Sequence, residues 1–101
     1  MSMSKTIKIE LSTTVMQSSE IISADLDGQI VMMHLERYQY FGLDDIGTQI
    51  WEIIEDPISV AELCNQLLPQ YDVDRATGVT DLLAYLNDML NDGLVTIVPT
   101  K

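Results

Sequence analysis

The stretch from Tyr38 to Trp51, YQYFGLDDIGTQIW, is where the chain changes its period, and the fold follows from how it is read. Tyr38 to Leu43 is aromatic and β-favouring, which suits a strand. Beyond it Ile46, Ile50, Ile53 and Ile54 recur at i, i+4, i+7 and i+8, the spacing of one helix face. A strand therefore runs straight into a helix. Asp44 stands at the switch, where its carboxylate can accept from the free N–H groups of the first turn and complement the positive end of the helix dipole.

Towards the N-terminus three more β-runs precede the switch, Thr14 to Gln17, Glu20 to Leu26 and Gln29 to Leu35. Asp27-Gly28 joins two of them as a two-residue hairpin, since both residue types tolerate the positive φ of a type I′ turn. Glu36-Arg37 turns the next pair. The result is an antiparallel meander of three main strands, whose edge strand exposes unpaired backbone groups. Further upstream TIKIEL reads as a short alternating strand inside a weakly organised start. Residues 1–12 are read as a flexible segment and 13–98 as the domain.

Towards the C-terminus the first helix must stop near Asp56, because Pro57 disfavours helix in the residue before it. Ser59-Val60-Ala61-Glu62 has capping-box spacing and opens a second helix that carries Val60, Leu63, Leu67 and Cys64 inward until Pro69 ends or kinks it. A third helix runs from an Asp74 cap to about Asp92 and closes at Gly93, the residue type best suited to a left-handed cap. Leu94 to Val98 is a final short strand before Pro99. The fold class is α+β: a three-stranded antiparallel sheet, three helices and a short C-terminal strand, arranged most economically as a winged helix-turn-helix.

On a helical wheel Val79, Leu82, Leu83, Leu86 and Leu90 fill an arc of about 100°, enough to face one core. Tyr85 and Met89 extend it to roughly 160° and share that edge with Gly78 and, more loosely, with Leu82 and Arg75. Two readings are open: a wide core helix with a snorkelling tyrosine, or a groove along that edge which accepts a peptide. Gly78 costs a helix interior about 1 kcal/mol relative to alanine, so it is either tolerated or lets something approach closely.

Composition removes whole classes of function. The chain has 101 residues, one cysteine and a net charge of −11 from 16 acidic and 5 basic residues. A chain of this length folds as one domain without a staple, burying roughly 65% of its unfolded surface. A lone cysteine ends the disulfide-scaffold and zinc-ribbon readings. No window approaches the ~20 apolar residues of a membrane span, and no apolar run serves as a signal peptide, so a cytoplasmic protein is expected. From Tyr38 onward Arg75 and Lys101 are the only cations, whereas non-specific DNA binding commonly neutralises about 6–10 phosphates. No nucleic-acid partner is expected. The acidity serves solubility or draws a basic partner.

Catalytic constellations are missing as well. His34 has no ligand partner at useful spacing and reads as a structural or surface residue. Cys64 reads as a small buried hydrophobe, with nothing basic near it in sequence. The acidic clusters Asp44-Asp45, Glu55-Asp56 and Asp72 to Asp74 lack EF-hand spacing, and helix capping explains two of them better than metal binding does. Neither enzymatic activity nor a cofactor or metal is expected.

Tyr40-Phe41-Gly42-Leu43-Asp44-Asp45-Ile46-Gly47-Thr48-Gln49-Ile50-Trp51 resembles the PqqD-like family, whose pattern at this junction is roughly Y-[YF]-x-L-[ND]-x-x-[GA]-x-x-I-W. Val60-Ala61-Glu62-Leu63, Tyr71-Asp72-Val73-Asp74, Leu86 and Gly93-Leu94 follow in the same register, so the resemblance covers about residues 14–98. Two departures are Asp44, where asparagine is common, and Pro69, where the family's helix continues.

The resemblance implies a recognition element for ribosomally made, post-translationally modified peptides. In that family the leader of a precursor adds as a strand beside the third strand of the sheet and packs against the third helix. A partner enzyme then modifies or cuts the peptide. The implied strand contacts are Tyr38, Gln39, Tyr40 and Phe41, which offer main-chain hydrogen bonds with side-chain pockets for selectivity. The implied helix contacts are Gly78, Leu82, Tyr85, Leu86 and Met89, with Arg75 placed to pair with a leader carboxylate. A free-standing protein of this size looks most like the leader-binding partner of lasso-peptide maturation, which serves a separate leader peptidase. A PqqD-type chaperone for a radical SAM enzyme is the alternative within the family. Outside it stand an acidic adaptor and a winged-helix transcription factor, and the latter is disfavoured by Asp74, Asp81, Asp88 and Asp92 on the third helix.

Overall fold

A computed structural model of the chain describes residues 9–27 and 29–99. In chain order the elements are β1 (Thr14–Gln17), β2 (Ile21–Leu26), β3 (Gln29–His34), β4 (Tyr40–Gly42), α1 (Asp45–Ile53), β5 (Ile58–Ser59), α2 (Val60–Leu67), α3 (Arg75–Asn91) and β6 (Val95–Val98). A 3-10 turn, Leu68–Gln70, follows α2, with Pro69 inside it. The α+β class and the order of the main elements are as the sequence predicts, and the two-residue β5 is an addition to it.

Local chemistry sets the ends of the elements. Asp44 Oδ1 accepts from Gly47 N at 2.9 Å, Ser59 Oγ from Glu62 N at 3.1 Å, and Asp74 Oδ2 from Thr77 N at 3.4 Å, so all three helices start on the expected caps. α3 ends in a Schellman motif, with Leu94 N donating to Met89 O and Gly93 N to Leu90 O, and Gly93 takes φ 79°. Asp27 has φ 57° and Leu26 pairs with Gln29, the register a two-residue turn requires; Gly28 lies outside the described residues.

The strands form two sheets. β2, β3 and β4 make the expected meander, in that order. The second sheet runs β5-β1-β6, with β1 antiparallel to β6 from Thr14↔Val98 to Gln17↔Val95. β1 and the residues just before it take up free helix-end groups: Gln17 donates through its backbone to Ile54 O and through Nε2 to Trp51 O, while Thr13 and Leu11 carbonyls accept from Val60 N and Ala61 N. Among the described residues the core includes Ile9, which falls within the segment 1–12. Ile9 is buried, and its N–H donates to Asn87 Oδ1. Residues 9–11 form no strand, and the rest of the TIKIEL expectation lies outside the described residues.

The core lies between the sheets and the helices, built from Val15, Met32, Ile50, Leu63, Leu67 and Leu86 among others. α3 is rotated relative to the wheel reading. Its buried line is Gly78, Leu82, Leu86 and Met89, with Val79, Leu83 and Leu90 only half-buried. The apolar arc locates one face; in the fold α3 packs against α2 and β6, and Met89 joins the core with Leu94 and Val95, while Val79, Leu83 and Leu90 pack against its margin.

Candidate functional site

β4 is an edge. His34 N donates to Gln39 O at 2.9 Å and Leu43 N to Ile30 O at 3.2 Å, so Gln39, Phe41 and Leu43 turn their backbone groups towards β3. By alternation Tyr40 and Gly42 turn theirs away from β3, towards the open side. Side chains alternate too. Phe41 shares the inner face with Met32 and His34, whereas Tyr40, 73% exposed, lies on the outer face with Met33 and Ile22. The usable edge is shorter than Tyr38 to Phe41. Tyr38 has φ 55°, is 77% exposed, and donates its N–H to His34 O within the turn. Gln39 likewise faces β3.

The sheet is fastened to the end of α3 by His34 and Arg37. His34 is buried, and its Nδ1 accepts from the backbone N–H groups of Glu36 and Arg37 at 3.2 and 3.3 Å, closing the β3–β4 turn. Arg37 Nη1 donates to Asn91 O at 3.0 Å, a cation on the negative end of the helix. Gly93 makes room for both: a Cβ there would stand 2.7 Å from His34 Nε2 and 3.2 Å from Arg37 Cζ. These contacts fix how β4 lies along α3.

Between β4 and the C-terminal half of α3 runs a groove of about 210 Å³, lined by Phe41, Leu43, Tyr85 and Met89 and edged by Asp88 and Asp92. A second hollow of about 150 Å³ continues along α3, between Leu68, Tyr71, Val73 and Leu82, with Ile46 from α1. Tyr85 is half-buried and lines both. Its hydroxyl donates to Asp44 Oδ1 at 2.9 Å. Burial first, and then the Asp44 carboxylate, push its pKa up to about 12, so the phenol stays protonated and donating at any physiological pH.

The residues expected to make a peptide site are thus distributed unevenly. Phe41, Tyr85 and Met89 meet around the groove, and Gly78 and Leu82 line the second hollow. Leu82, Leu86 and Met89 are also core residues, each at most 3% exposed. A charge at Leu82 therefore disturbs packing before it disturbs a ligand. Gly78 serves close approach, since a Cβ there would stand 2.9 Å from Leu68 Cδ2 and 3.1 Å from Val73 Cγ2. Arg75 lies at the other end of α3 and donates to Asn65 Oδ1 at 3.1 Å. Its charge also reaches Cys64, where burial raises the thiol pKa and Arg75 opposes that in smaller measure; the sequence reading placed nothing basic nearby. Sequence reasoning missed Leu43, Asp88 and Asp92 as groove residues. The signal was available, because Asp88 and Asp92 are i+3 and i+7 from Tyr85.

Among the described residues no cluster of three or more His, Cys, Asp or Glu could hold a metal ion, and no helix is long and apolar enough to cross a membrane. Fold and groove together define a class: small α+β proteins in which an open strand edge faces a helix wall. Residues 29–95, about two thirds of the chain, match the family described as coenzyme PQQ synthesis protein D (PqqD), and the chain belongs to that family. It is 36% identical over 53 residues to a PqqA binding protein of Rhodopseudomonas palustris (strain BisB5), spanning about half the length of that relative and half of its own. Among solved structures it is similar to TbiB1 in complex with the TbiA(beta) leader peptide, with 32% identity and a TM-score of 0.74 over 84% of this chain and 99% of that one. The fold is shared with lasso peptide synthetase B1 complexed with the leader peptide, at 23% identity and a TM-score of 0.71 over 81% and 96% of the two chains.

Proposed function

We propose that this protein binds the leader segment of a ribosomally synthesised precursor peptide by strand addition and presents it to a separate maturation enzyme, the leader peptidase of a lasso-peptide pathway. The observation that carries the reading is the open edge of β4, with Tyr40 and Gly42 aimed outward, set beside the Phe41–Tyr85–Met89 groove of α3. Main-chain hydrogen bonds at the edge supply affinity that tolerates sequence, and side chains entering the groove supply selectivity. The similarity to TbiB1, solved with a leader peptide, supports this reading.

The protein is a binding module with no catalytic activity or cofactor of its own, residues 13–98 being its recognition domain, and it works in the cytoplasm. Nucleic acid is not a partner, because the exposed Asp74, Asp81, Asp88 and Asp92 make α3 repel phosphates. A second reading, a PqqD-type peptide chaperone for a radical SAM enzyme, is favoured by the likeness to the PqqA binding protein. Both share the groove and differ in the downstream enzyme.

The test is an amide NMR titration of the labelled protein with the leader half of the precursor encoded beside its gene, with duplex DNA in a parallel sample. Saturable shifts at Tyr40–Leu43 and along Tyr85–Asp92 are expected, with none from DNA. A response to DNA and none to the leader would overturn the reading.

A further inference from the structure

Tyr85 occupies a place that a surface tyrosine does not need. The groove beside β4 and the hollow beside Ile46 share Tyr85 and no other lining residue, so its ring is the wall between them. That ring is held at its hydroxyl by two residues of the strand-to-helix switch, Asp44 and Gly47. Its hydroxyl donates to Asp44 Oδ1, and the same oxygen accepts from Gly47 N, so the carboxylate is itself fixed by the first turn of α1. Gly47 completes the seat: a Cβ at position 47 would collide with the Tyr85 hydroxyl. The D-x-x-G spacing at the strand-to-helix switch thus does more than cap α1. It builds a socket for a residue 41 positions further along the chain.

The two spaces that the ring separates differ in chemistry. The one beside β4 combines Phe41 and Met89 with the Asp88 and Asp92 carboxylates at its edge. The other is bounded almost wholly by aliphatic and aromatic groups, with Asp81 its one charged residue. An apolar cavity of about 150 Å³ accommodates a ring the size of benzene, so the hollow beside Leu82 has room for one large apolar side chain, and the groove beside β4, at about 210 Å³, has room for at least one.

We propose that Tyr85, latched by Asp44 and seated by Gly47, is the selectivity-determining residue of the groove. Its ring makes two side chains of a bound extended peptide enter separate compartments, an apolar stem with a basic or polar head beside Asp88 and Asp92, and a wholly apolar group beside Leu82. The proposal rests on the peptide-binding reading above and adds to it how the peptide's register is set. Tyr85→Phe removes the latch and keeps the ring. Gly47→Ala expels the hydroxyl and also crowds Asp44 Oδ1, 3.1 Å from the added Cβ, so both substitutions unlatch the ring and only Tyr85→Phe leaves the cap untouched.

The test measures the affinity of wild type, Tyr85→Phe and Gly47→Ala for the same encoded leader peptide and for a set carrying single alanine substitutions, with thermal unfolding as the folding control. In the wild type, two leader positions are expected to stand out, each alanine costing about tenfold or more. In both variants those penalties should fall below about threefold while other positions keep theirs. A tyrosine that only staples α3 to α1 would instead lower every affinity by one common factor and leave the ranking unchanged, which would overturn the proposal. Failure of the wild type to bind any leader would overturn it together with the peptide reading. Should Gly47→Ala not fold, Tyr85→Phe alone carries the comparison.

Discussion

The two sheets of this small protein are built on opposite terms. In β5-β1-β6 the central strand is enclosed: Val15 is fully buried, and the backbone around it is tied to α1, α2 and β6. In β2-β3-β4 only the inner face is covered. Outward stand Ile22, Leu26 and Tyr40, between 53% and 73% exposed, and the β4 edge is open beside α3. One sheet spends its hydrogen bonds inside the fold and the other keeps some in reserve. The difference teaches where stability and recognition reside, and it can be broken experimentally.

The largest effect belongs to the enclosed sheet. Val15→Asp buries an unpaired carboxylate and is expected to cost more than about 3 kcal/mol in urea unfolding, whereas Ile22→Asp on the outward face of the open sheet should stay within about 1 kcal/mol. Equal costs would erase the distinction. Next, Tyr40→Pro removes an outward N–H without touching the bonds to β3. An edge strand tolerates that change, so leader affinity should fall at least ~10-fold, about 1.4 kcal/mol, with the fold intact by circular dichroism. Gly47→Ala forces an overpacked contact on the Tyr85 hydroxyl that alanine's better helix propensity partly offsets, for a net loss of about 1 kcal/mol by thermal unfolding.

The smallest effect is one of pH. The Tyr85 phenol has its pKa raised in the folded state to about 12, above the ordinary value of 10.0. The folded protein therefore holds that proton more tightly, and the stabilisation is fully present below pH 10 and lost as the pH climbs towards 12. Wild type should lose stability over that window more steeply than Tyr85→Phe. Parallel curves for the two would show that the latch contributes nothing.

What the sequence made legible follows the range of the physics involved. The caps at Asp44, Ser59 and Asp74, the Gly93 terminus and the Asp27 turn all act within three or four residues, and each is found where the pattern puts it. The β1–β6 pairing joins residues some 80 positions apart and has no local signature, so the C-terminal strand was legible as a strand without its partner. The facing of α3 was legible only in part for a related reason: the wheel finds the wide apolar arc, but that Gly78, Leu82, Leu86 and Met89 form its most buried line depends on packing against α2 and β6. At the groove the strand and the aromatic residues were readable. The Tyr85–Asp44 latch, the work of His34 in closing the β3–β4 turn and the engagement of Arg75 by Asn65 were not, since each depends on a contact that only the folded chain makes.

The central claim is that a peptide adds to the free edge of β4, and amide hydrogen exchange read residue by residue tests it most directly. In the free protein the Tyr40 and Gly42 amides should exchange quickly while Phe41, facing β3, is already protected. Saturation with the encoded leader should slow Tyr40 and Gly42 at least ~10-fold and leave Phe41 nearly unchanged, the alternating signature of one added strand. Saturating binding that leaves Tyr40 and Gly42 exchanging as before would contradict strand addition at this edge.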